Sequence, residues 1–194
     1  MRIALAAGRT FGLAAFTELI RVGHQIPLVA SGVGDRPWVE AKQRGLTVRE
    51  RLTPADVADY GIELIVGAHY HRLIGPRTRA AAQFGALVGH PSLLPRHRGR
   101  SAIEWTIRHN DPIAGFTWFL ADDGYDTGPI VYQSWCHVAP GWSASDLWRE
   151  SLFDLGIESL ADAVSYAPLG GDPQDSRFAT WEPPIHAPAP QPAP

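Results

Sequence analysis

Apolar residues alternate along this chain between short runs and helical spacing. A run over residues 2–6, ending before Gly8, predicts a first strand. Leu13, Phe16, Leu19 and Ile20 recur at helical spacing, predicting a helix over 13–22 with Thr10 as its cap. Further apolar runs predict strands at 26–30, 47–50, 62–68 and 86–88. Between them lie predicted helices at 37–44, closed by Gly45, from Thr53-Pro54 onward, at 76–83 and at 101–109. Thr53 suits an N-cap, and Pro54 suits the first turn. Residues 113–120 and 130–135 read as two strands joined by an acidic loop, 121–128, and 144–164 read as one long closing helix. Strand–helix alternation of this kind predicts an α/β fold, a mostly parallel twisted sheet with helices on both faces.

Composition narrows the picture. The 194 residues fit one domain, taken as 1–166, followed by an extended segment, 167–186, packing on it, and a Pro/Ala-rich tail, 187–194, expected to be disordered. A net charge of −3 disfavours binding to nucleic acid backbones in bulk. Cys136 is the only cysteine, which excludes an intrachain disulfide and points to a reducing cytoplasm. The N-terminal apolar run is too short for a signal peptide or a membrane helix.

Two segments draw attention as chemistry. His90-Pro-Ser-Leu-Leu-Pro95 follows a predicted strand, and ligands of open α/β sheets bind beyond the carboxyl ends of strands. Its prolines stiffen a loop headed by an ionisable group. Asp122-Asp123-Gly-Tyr-Asp126-Thr-Gly-Pro-Ile130 places three carboxylates on a Gly-rich loop. Taken alone, the first reads equally as a structural histidine and the second as a solvated turn. His69 and His71 have a spacing that suits a metal, but two ligands without a third do not make a site, and no metal is expected. The loop from Ala7 to Gly12 opens a helix, a place that favours anions, and carries only a fragment of a dinucleotide motif.

The order and spacing of Leu64-Ile-Val-Gly-Ala-His-Tyr-His-Arg-Leu-Ile74, His90-Pro-Ser-Leu-Leu-Pro95, Arg98-Gly99, Trp105, Gly115-Phe-Thr117 and Asp126-Thr-Gly-Pro-Ile130 resemble the 10-formyltetrahydrofolate-dependent formyltransferase family. That family includes glycinamide ribonucleotide, methionyl-tRNA and sugar-nucleotide N-formyltransferases. The resemblance covers roughly residues 1–165 and implies a Rossmann-like formyltransferase fold. It maps the family's catalytic His to His90 and its Asp to Asp126. The family's third member, an Asn two residues before the His, is Val88 here, and valine has no donor for an oxyanion. Ser92, Ser101, His69 and His71 are the candidates to replace that donor.

The resemblance further implies that the folate lies against Tyr70, His71, Arg72, Leu73 and Ile74 and against the loop of Ala121, Asp122, Asp123 and Gly124. It places the acceptor at Gly8, Arg9 and Thr10, where Arg9 would meet an anionic group. The basic run Arg96-His-Arg-Gly-Arg100 suggests a nucleotide, but the net acidity and the lack of the further domain of the methionyl-tRNA enzymes argue against tRNA. Phe178-Ala-Thr-Trp-Glu-Pro183 is expected to pack back near the site entrance with Trp181 as an apolar anchor. The implied activity is transfer of formyl from 10-formyltetrahydrofolate to the amine of a small acceptor, an amino sugar nucleotide or a specialised-metabolism amine, in the cytoplasm. The alternatives are hydrolysis of the same folate and folate binding without catalysis. Trp142 and Trp148, read as exposed, suggest a homodimer.

Overall fold

The computed structural model describes residues 1–185, so the tail at 187–194 lies outside the described residues. Strands β1 (Arg2–Ala7), β2 (Gln25–Ala30), β3 (Thr47–Arg49), β4 (Leu64–Ala68) and β5 (Ala86–His90) run parallel. Strands β6 (Ile113–Leu120) and β7 (Ile130–His137) add to them antiparallel. The sheet order is β3-β2-β1-β4-β5-β6-β7. It is the mostly parallel sheet that the alternation predicts, and its sequence crossover lies between β1 and β4, where such sheets place their ligands.

The two sheet faces follow from period two. On β1, Ile3, Leu5 and Ala7 join one core with Phe16, Leu19, Phe116, Trp118 and Val164. Ala4 and Ala6 join the opposite core with Leu28, Val57, Ile65 and Ile74. A central parallel strand is therefore apolar at every position, which is why 2–6 reads as a run and not as an alternation. Trp118 is fully buried, and its indole N–H is satisfied by the Gly156 carbonyl and the Ser159 hydroxyl, both at 3.1 Å. Gly89 makes room for this packing, since a Cβ there would lie 2.8 Å from the Phe116 ring and 2.9 Å from that of Trp118.

Helices α1 (Arg9–Arg21), α2 (Arg36–Gln43), α3 (Pro54–Asp59), α4 (Pro76–Ala81) and α5 (Ala102–Arg108) connect the strands. Thr53 and Asp56 close a reciprocal capping box on α3, as the Thr-Pro signal suggests. Three expectations need correction. Thr10 does not cap α1; it lies inside the helix, and extended Gly8 is the N-cap, with no side-chain bond. The closing helix is broken into α6 (Ala144–Leu147), a wide turn at Trp148–Leu152, α7 (Phe153–Glu158) and α8 (Leu160–Tyr166). The wide turn lays Trp148 on Phe11 and Phe153, at ring distances of 5.4 and 5.7 Å. Finally, Trp142 and Trp148 are not exposed: both pack on the core, and the exposed tryptophans are Trp135 and Trp181.

Beyond α8 the chain returns to the sheet. Asp172 and Ile130 exchange two backbone hydrogen bonds of 2.8 Å. The following residues cross the loop after β5, where Arg98 N–H donates to the Thr180 carbonyl and Thr180 N–H to the Pro95 carbonyl.

Candidate functional site

His90 is the last residue of β5 and is almost fully buried. The loop it heads is fastened from β6 and β7. Thr117, itself fully buried, donates to the Ser92 carbonyl at 2.6 Å and accepts from Leu94 N–H, while Gln133 donates to the Leu94 carbonyl at 2.8 Å. The His90 Nε2 lies 2.8 Å from the His97 carbonyl oxygen. A carbonyl only accepts, so Nε2 is the donor and Nδ1 is turned toward Asp126. The Nδ1–Oδ2 separation is 3.6 Å, too long for a hydrogen bond but close enough for charge to be felt. Asp126 adopts a left-handed backbone (φ 55°), and its Oδ2 accepts from Gly99 N–H at 2.8 Å. Folding thus brings together the two residues that chain spacing alone leaves unrelated.

Val88 lies two residues before His90 on β5, packs against the core of Ala4, Ile65 and Ala86, and sits so close over Gly67 that a Cβ there would lie 3.0 Å from its Cγ2. Among the proposed substitutes for its missing donor, Ser92 gives its hydroxyl hydrogen to the Arg96 carbonyl at 2.7 Å and is committed to the loop. The Ser101 hydroxyl accepts from Ile185 N–H at 3.0 Å. His69 and His71 lie just beyond the end of β4 with their rings edge-on at 4.7 Å. Burial, then the neighbouring His71 and Arg9, pull the His69 pKa down to about 4. Burial, then Arg9 and Arg100, lower that of His71. His69 therefore stands as a neutral imidazole at neutral pH.

The two loops expected to hold folate meet through Arg79, which sequence reading missed. Buried on α4, Arg79 donates to the Ile74 carbonyl at 2.7 Å and pairs with the exposed carboxylate of Asp123. Tyr70 and Arg72 both donate to the Glu50 carbonyl, at 3.2 and 3.1 Å. Asp122 folds the second loop on itself by accepting from Gly124 N–H and the Thr127 hydroxyl. The Arg-rich text of α4 looks like an ordinary surface helix, so nothing marks Arg79 in advance.

At the start of α1, Gly8 is held so close to β4 that a Cβ would lie 2.7 Å from the His69 carbonyl oxygen. Arg9 N–H donates to Asp35 Oδ2 at 2.9 Å, so this helix start already faces a carboxylate. Among the described residues, one group of side chains has metal-ligand spacing: His97, His109 and Asp111, with donor atoms within 4.8 Å of one another. The Arg96 guanidinium, 3.0 Å from Asp111 Oδ2, already neutralises that carboxylate, and we assign it no metal.

A formyl transferase family model matches residues 37–164. Cytosolic 10-formyltetrahydrofolate dehydrogenase of Mus musculus is 36% identical over 201 residues, covering 94% of this chain and 22% of that protein. Methionyl-tRNA formyltransferase of Anaeromyxobacter dehalogenans is 30% identical, over 92% of this chain and 64% of that protein. Glycinamide ribonucleotide transformylase 1 from Symbiobacterium toebii matches in structure with a TM-score of 0.73 and 26% identity, over 84% of this chain and 85% of that one. The chain spans about a fifth of the length of the dehydrogenases it matches. Among the described residues no helix is long and apolar enough to cross a membrane. The family match, on the fold and loops just described, establishes that the chain belongs to the formyl transferase family.

Proposed function

We propose that the protein transfers the formyl group of 10-formyltetrahydrofolate to the amine of a small acceptor, with His90 and Asp126 at the reacting centre. The observation that carries this is the orientation of His90. Its Nε2 is tied to the His97 carbonyl, and its Nδ1 is left free of a direct bond, 3.6 Å from Asp126. The acceptor nitrogen attacks the formyl carbon, and a tetrahedral oxyanion forms. With Nε2–H held by the His97 carbonyl, Nδ1 takes the proton that the attacking amine loses, the Asp126 carboxylate stabilises the positive ring so formed, and Nδ1–H then donates to the oxyanion and passes that proton to the departing N10. The C–N10 bond then breaks. The proton lost by the amine replaces the formyl group on N10, so atoms balance. The folate lies against Tyr70–Ile74 and 121–124, the loops joined by Arg79, and the acceptor enters beside Gly8, Arg9 and Thr10. Because Asp35 already holds the Arg9 amide, that corner suits an acceptor without a phosphate at this point. No step uses a metal, and a cytoplasmic location fits the reduced lone cysteine.

A second reading, hydrolysis of the same folate, is favoured by Val88, which removes a donor, and by the carboxylate at the acceptor corner. Water then takes the place of the amine, and formate leaves. Purified protein incubated with 10-formyltetrahydrofolate, with and without a panel of amines, distinguishes the two. Amine-dependent release of tetrahydrofolate supports transfer, and release without amine supports hydrolysis. His90→Ala and Asp126→Asn should each cost roughly 10²–10³ in rate, the size of a lost oxyanion donor. Wild-type protein that turns over no folate under either condition would overturn both readings.

A further inference from the structure

We propose that the C-terminal strap, residues 172–182, positions both reacting residues, with Gln174 and Glu182 as its two working contacts. This rests on the placement of His90 and Asp126 at the reacting centre. The Gln174 side-chain amide donates to the Asp126 carbonyl at 2.9 Å and to the Gly128 carbonyl at 2.7 Å. Its oxygen accepts from the fork of Arg98, at 3.0 and 2.7 Å. Arg98 in turn precedes Gly99, whose N–H holds the Asp126 carboxylate. One neutral side chain therefore ties the two catalytic loops together.

The second contact acts through His97. Its ring is almost fully buried between two carboxylates, with Nε2 2.8 Å from Asp111 and Nδ1 3.2 Å from Glu182. Its backbone N–H donates to the Thr180 hydroxyl at 2.8 Å. Its carbonyl is the acceptor that orients His90. His97 and Asp126 both have left-handed backbones, φ 55° in each case. Such conformations in non-glycine residues persist only where surrounding bonds over-determine them. Gln174 bonds the peptide carbonyl of Asp126 and Thr180 the peptide N–H of His97, while Glu182 holds the His97 ring. Residues 174–182 lie beyond the part of the chain, 37–164, that the family model matches.

The test uses four full-length variants and two readouts. Gln174→Glu keeps the acceptor for Arg98 but cannot donate to the two carbonyls, and Gln174→Ala removes both functions. Glu182→Ala removes the His97 contact, and Glu182→Gln keeps an acceptor for it. With 10-formyltetrahydrofolate as substrate, Q174E, Q174A and E182A should lose roughly 10²-fold in kcat, the cost of misplacing a reacting group by about an ångström. The KM for folate of E182A should hold within about threefold, since Glu182 contacts only the loop after β5, that of the Gln174 variants should change less than kcat, since Asp126 and Gly128 lie beyond residues 121–124, and E182Q should recover most of the loss. The second readout is the pair of imidazole nitrogen signals of His90 in ¹⁵N-edited NMR, which report its tautomer without any turnover. These should show Nε2–H in the wild type and shift in Q174E and E182A, with melting temperature as the control for folding. Unshifted His90 signals in both variants overturn the inference. If His90→Ala leaves turnover intact, the functional reading fails instead, and the ring signals still decide whether the strap positions that residue.

Discussion

At the residue scale, the proposed function makes Val88 the position that decides which nucleophile the site favours. Side chains at i and i+2 of a strand share a face, so residue 88 is the natural neighbour of His90 for a group reaching the same substrate. Restoring a donor there by Val88→Asn should raise the amine-dependent rate by roughly tenfold or more, while leaving folate KM nearly unchanged. The measurement is the ratio of formylated amine to free formate, and a ratio equal to that of the wild type would count against a role for the missing donor. His90 and Asp126 were legible because each heads a motif of several residues. His97 was not, because what gives it meaning is Asp111, fourteen residues on, and Glu182, far along the chain, and neither pairing leaves a spacing signal. Gln174 and Arg79 were hidden for the same reason: each pairs with a side chain distant in the sequence, Arg98 and Asp123, and otherwise with backbone carbonyls, which every residue possesses.

At the scale of elements, the strand boundaries moved by only a residue or two, and β1 and β4 were legible because central parallel strands are apolar throughout. The closing helix was misread because helical periodicity survives the interruptions. Leu147, Leu152, Leu160 and Val164 all face the core even though the wide turn and the break at Ser159 separate them. The Ser159 hydroxyl donates back to the Leu155 carbonyl at 2.6 Å and also receives the Trp118 indole, a contact made only by the folded sheet. Packing between elements sets two expectations. Gly89→Ala drives a methyl into the rings of Phe116 and Trp118 and should destabilise the protein by about 1–3 kcal/mol, read as a lower urea midpoint with an unchanged slope. Arg79→Met uncouples the two loops proposed to hold folate and strands the buried Ile74 carbonyl, and should raise folate KM by roughly 3–10-fold with kcat largely kept. A fall in kcat at unchanged KM would instead place Arg79 with the reacting groups.

At the scale of the whole molecule, the shifted ionisable groups make acid unfavourable to folding, and they do so in two separable windows. His69 has its pKa lowered from the ordinary 6.5 to about 4, chiefly by burial, and burial lowers those of His24 and His71 as well. Below the ordinary histidine range the unfolded chain binds protons that the folded chain refuses, so stability should fall as pH drops through this interval. Asp111 and Asp56 act lower down. Burial alone would raise their pKa values, but hydrogen bonds and charge from His97 and Arg96, and from Thr53 and Arg49, outweigh it and hold them below the usual range. Each of these carboxylates contributes stability that is complete above its unfolded pKa and is lost as pH falls through its folded one. Urea midpoints taken across pH 7.5 to 3 should therefore decline in two stages. His69→Asn, whose amide tolerates the left-handed backbone (φ 54°) at that position, should make the upper stage shallower, with His24 and His71 supplying the rest, and leave the lower intact. Asp111→Asn should lower stability by a constant amount above about pH 5, and the difference from wild type should close below it. If the two variants instead scaled the whole curve together, the loss of stability in acid would belong to net charge and not to these buried partners.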